Sequence, residues 1–138
     1  MRAVFILAFG LLREPVEGAD LSGIWTGQIA TRNNEKVDIA FQFQQHGDRL
    51  QGKLYGDYRS SPIVEGKVEG DRVTFVVIVH EQAGNQINET RLRFTGALKN
   101  GELELVRERE QSTNAGNRGA AQSRSSSAPV SFRLKKLI

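Results

Sequence analysis

Val37-Asp38-Ile39-Ala40-Phe41-Gln42-Phe43-Gln44 sets Val37, Ile39, Phe41 and Phe43 on one face and Asp38, Gln42 and Gln44 on the other. Successive side chains of a strand point to opposite sides, so this segregation predicts a half-buried β-strand. The same rhythm continues on both sides of it. Upstream, 24–31 reads as a strand ended by a turn over 32–35. Downstream, Gly47-Asp48 turns the chain into 49–54, with Leu50, Gly52 and Leu54 inward and Arg49, Gln51 and Lys53 outward.

A longer turn over 56–62 precedes a fourth strand at 63–69, and Gly70-Asp71 leads into a fifth at 72–81. There Val73, Phe75, Val77 and Val79 share one face, while Val76 and Ile78 make the other face apolar too. Such a strand is expected to be covered on both sides, by the N-terminal segment or by a partner subunit. After a turn at 83–86, the sixth strand sets Leu92, Phe94, Gly96 and Leu98 against Glu89, Arg91 and Arg93. Asn100-Gly101 is the strongest two-residue hairpin signal, because both residues tolerate positive φ. A seventh strand follows at 102–107, and the last sets Val130, Phe132 and Leu134 against Ser131, Arg133 and Lys135. Between them, 108–128 has no apolar run and predicts a solvated, mobile loop.

The expected fold class is therefore all-β, an eight-stranded antiparallel up-and-down meander. Its first and last strands would be left as open edges unless they pair, so a closed barrel is expected. The inward glycines Gly27, Gly52, Gly66 and Gly96 fit the sharp coiling of a small barrel. A β-sandwich is the alternative, and only 108–128 is long enough to supply the crossover it needs.

The 138 residues allow one domain, at 20–138. Met1-Arg2 followed by an apolar run over 3–12 has the order of an export signal and is too short to span a bilayer. Residues 1–19 are thus read as a signal peptide, the mature chain as secreted or periplasmic, and no stable membrane anchor is expected. Removing Arg2, Arg13, Glu14 and Glu17 with that segment leaves the net charge at +3. Basic residues are interleaved with acids rather than gathered on one stripe, so no nucleic-acid partner is expected. The absence of cysteine excludes disulfides, thiolate metal sites and cysteine nucleophiles.

His46 and His80 belong to no metal-ligand spacing, no Gly-x-Ser-x-Gly elbow is present, and no phosphate-cradling glycine loop occurs. The expectation is a protein without metal or cofactor that is not an enzyme.

Leu21-Ser22-Gly23-Ile24-Trp25-Thr26-Gly27 resembles the Gly-x-Trp opening of the calycin barrels, the lipocalin and avidin-like group, and of small secreted bacterial domains with repeated Gly-Asp hairpins. The resemblance implies that Trp25 is a structural plug at one barrel end. Lipocalins pair that Trp with an Arg near the last strand, where Arg133, on the outward register, is the nearest position. The several Trp residues that wall an avidin-like biotin pocket are not here, since the chain has one.

Two functions follow as expectations. The first is a secreted, non-enzymatic barrel binding a small apolar or amphipathic ligand inside. Its site would be Val37, Ile39, Phe41, Phe43, Leu54, Val77, Leu92 and Phe94, with Tyr55 and Tyr58 at the rim. The second is an accessory module with a filled barrel, binding a protein partner or a second copy of itself through 72–81 or attached to exported enzymes. A cavity above about 300 Å³ would favour the first. A packed interior with Val76 and Ile78 exposed would favour the second.

Overall fold

Eight strands pair in chain order and the first pairs with the last, giving a closed antiparallel barrel. They are β1 (Gly23–Ala30), β2 (Lys36–His46), β3 (Arg49–Leu54), β4 (Ser61–Glu69), β5 (Arg72–Ala83), β6 (Gln86–Lys99), β7 (Glu102–Asn114) and β8 (Val130–Lys136). The computed structural model describes residues 20–31, 33–56, 59–114 and 128–138. The N-terminal segment 1–19, Tyr58 and most of the expected loop lie outside the described residues.

Closure runs through Trp25↔Lys136, Thr26↔Lys135, Gly27↔Leu134 and Gln28↔Arg133, so no strand of the ring is an edge. It requires backbones to approach where a side chain would not fit. A Cβ on Gly27 would collide with the carbonyl oxygen of Arg133, and one on Gly52 with that of Gln42. Gly52 also holds φ +144, a conformation that favours glycine. At Asn100-Gly101, φ values of 52 and 81 make the tight hairpin that this dipeptide predicts.

The inward faces meet on the axis. Phe41, Phe43, Phe75 and Phe94 are each at most 1% exposed and form one continuous ring cluster. Phe75 touches three rings, stacking on Phe94 at 4.9 Å and meeting Phe41 and Phe43 edge-on at 5.5 Å. Phe132 adds an edge contact to Phe94 at 6.0 Å. Offset and edge-on pairs of this kind satisfy the ring quadrupoles as well as filling space.

Two features depart from expectation. β7 does not stop at 107 but continues to Asn114, pairing with β6 out to Asn88↔Asn114. Its distal half is polar on both faces, so alternation does not reveal it. The second concerns the cover on β5. Val76 is fully buried within the single chain, flanked by its cross-strand partners Val64 and Arg93.

Its cover is ionic. Bulges in β4 and β7 turn Glu65 (φ 55) and Glu110 outward. Glu65 reaches across β5 to Arg91 at 2.8 Å and Arg93 at 3.4 Å, and Glu110 holds the same two arginines at 3.0 and 2.8 Å. The bridge from β4 to β6 necessarily passes over β5, and Arg93 is the cross-strand partner of Val76. Ile78 is half-buried beside it, so the apolar strip is not laid open.

Candidate functional site

The two barrel ends differ. At one, the segment before β1 folds under the ring and seals it. Leu21 is 1% exposed, its N–H donates to Gln45 Oε1 at 2.9 Å, and its carbonyl accepts the Trp25 indole N–H at 2.9 Å. Gln45 also donates its backbone N–H to Ser22 Oγ and its amide to the Gly47 carbonyl. Trp25 thus lies buried at this end, and among the described residues no arginine stacks on it. Arg133 points outward and lies near Glu104 at 3.6 Å and Glu102 at 3.9 Å.

The opposite end is open. β5, β6 and β7 run to 12, 14 and 13 residues, while β1 and β8 have 8 and 7, so one wall stands above the rim. Beneath that wall is a recess of about 710 Å³ lined by Ile29, Val37, Leu92 and Val130 together with Glu81, Arg107 and Arg109. Its apolar lining comes from the inward registers of β1, β2, β6 and β8. Its charges come from the distal halves of β5 and β7, where the inward register carries polar residues instead.

Those charges are not balanced. Arg109 has partners: Nη1 is 3.8 Å from Glu81 Oε1 and donates to Thr90 Oγ1 at 3.4 Å. Thr90 is fully buried and donates its hydroxyl to Glu81 Oε1 at 3.2 Å. Arg107, opposite both Phe94 and Val130, has no carboxylate within ion-pair distance among the described residues. Burial pushes the Arg107 guanidinium below the ordinary arginine range, and the charge of Arg109 pushes the same way. It remains protonated at any physiological pH. Farther out along the same face of β6, Asn88 Oδ1 is buried without a hydrogen-bond partner among the described residues.

The residues expected to line a ligand site divide by depth. Phe41, Phe43, Val77 and Phe94 are packed into the filled axis. Ile39 and Leu54 pack against that core from partly buried positions. Val37 and Leu92 line the recess, with Val37 45% exposed at the rim. Tyr55 is exposed after β3, with Lys53 Nζ 5.2 Å from its ring centre. Arg107 and Arg109 were assigned by sequence to the end of a strand and to a loop. Continuing the inward register of Leu103 and Leu105 by two and four residues would have found both.

Comparisons with family models, with curated proteins and with solved structures give no match. The closed eight-stranded meander is consistent with a calycin-like fold. Beyond that, the functional reading rests on the geometry of the open end.

Proposed function

We propose that this chain is a secreted, non-enzymatic binding barrel that takes a small amphipathic molecule at its open mouth rather than along its axis. One observation carries the reading: five phenylalanines fill the middle, Leu21 and Trp25 seal one end, and a recess of about 710 Å³ remains at the other. That volume falls in the usual range for small-molecule sites, and the mixture of aliphatic walls with a few polar groups is their usual lining. Ile29, Val37, Leu92 and Val130 would hold the apolar part.

Secretion is supported by the charge-then-apolar order of residues 1–19. The accessory-module alternative shares the filled axis, but it calls for an exposed apolar strip, whereas Val76 is fully buried and Ile78 half-buried.

Native mass spectrometry of the exported protein tests the reading, together with titration of the neutral fluorescent probe N-phenyl-1-naphthylamine. A co-purifying small molecule, or saturable probe binding weakened by Leu92→Ala, is expected. Absence of both would end the proposal.

A further inference from the structure

We infer that the mouth selects a singly charged organic anion, with Arg107 receiving its head group. The inference rests on the preceding reading of the mouth and adds the chemistry of the ligand. Arg107 is a half-buried guanidinium among Val130, Ile29, Val37 and Leu92, and among the described residues it has no carboxylate to answer it. A desolvated charge without a partner is unfavourable, so it is a place where an incoming opposite charge gains most.

The neighbouring groups set the charge of that ligand. Arg109 and Glu81 already answer one another across Thr90, which leaves the lining of the recess with one uncompensated positive charge. A monoanion neutralises it, whereas a second negative charge would have to compete with Glu81. A carboxylate or sulfonate head suits the forked guanidinium, which can offer two parallel N–H donors. The aliphatic lining then requires an apolar body on the same molecule. Phosphodianions and free inorganic anions lack one or other half of the match.

The neutral and anionic members of one probe pair separate this inference from the reading beneath it. N-phenyl-1-naphthylamine and 1-anilinonaphthalene-8-sulfonate share their rings and differ in the sulfonate. Titrated into the full secreted protein, the sulfonate is expected to bind about tenfold or more tightly than the neutral probe, as one charge-assisted hydrogen-bonded contact provides. Arg107→Gln should remove that advantage, so that the two probes bind with similar affinity. Arg133→Gln, on the outer wall, should change neither affinity. An unchanged melting temperature or a raised one in Arg107→Gln shows that the loss is not unfolding.

Equal affinity for the two probes, or a sulfonate affinity untouched by Arg107→Gln, overturns the anion inference while the binding mouth stands. Failure of both probes to bind overturns both.

Discussion

The sealed and open ends of this barrel are built from the same eight strands, yet their inward registers carry opposite chemistry. At the sealed end the polar groups brought inside are answered from within the chain: the Trp25 indole by Leu21, and the Leu21 amide by Gln45. At the open end the Arg107 guanidinium is brought inside with no carboxylate beside it among the described residues. The contrast separates residues that hold the ring together from residues the ring can do without. Stability belongs to the middle and the sealed end, and recognition to the mouth.

Substitutions should divide along that line. Phe75→Ala, at the centre of the ring cluster, is expected to cost about 3–5 kcal/mol in urea unfolding, because three neighbouring rings cannot close the space. Leu92→Ala lies only one alternation beyond Phe94 on β6 but faces the recess. It should cost about 1–2 kcal/mol, since part of its surface is already open. If the two costs prove equal, the mouth is as tightly packed as the core and the division fails.

Arg107→Leu should move stability the other way, raising the unfolding midpoint by the equivalent of about 0.5–1 kcal/mol. An unpaired charge is replaced there by a side chain that matches its aliphatic neighbours. A lowered midpoint would make Arg107 a structural residue like those at the sealed end.

The smallest effect is expected on the outer wall. Glu110→Gln should cost about 0.2–1 kcal/mol at neutral pH, as befits a partly exposed ion network. Hydrogen bonds from Arg93 and then Arg91 hold the Glu110 carboxyl below its ordinary value of 4.5. Its contribution is therefore complete above that value and fades as pH falls through the lower folded one. Wild type and Glu110→Gln should converge in stability below pH 4.5, and a gap that persists into acid would refute the network.

The ring was legible in the sequence because its inner wall is apolar wherever it is filled. Val37 to Phe43 and Val130 to Leu134 alternate apolar with polar, and Val73, Phe75, Val77 and Val79 keep the same inward row on a strand whose outer face is apolar too. The mouth was not legible for the same physical reason. Arg107-Glu108-Arg109-Glu110 is charged at every position, so the two sides of β7 look alike and the stretch reads as loop. A bulge at Glu110 hides the register further by shifting the pairing with β6 between Arg91 and Leu92. Val76, apolar on the outward register, is fully buried beside an ion network that spans β4, β6 and β7.

Ile24 donates its amide to the Ile138 carbonyl at 3.0 Å and accepts from the Leu137 amide at 2.6 Å, so the start of the first strand lies against the last residue. A short peptide could splice these points, and a fresh opening at the Gly84-Asn85 turn would leave every ladder intact. Such a circular permutant would carry its new termini at the mouth. A cargo domain fused to the natural order would instead hang from the opposite pole, clear of whatever enters.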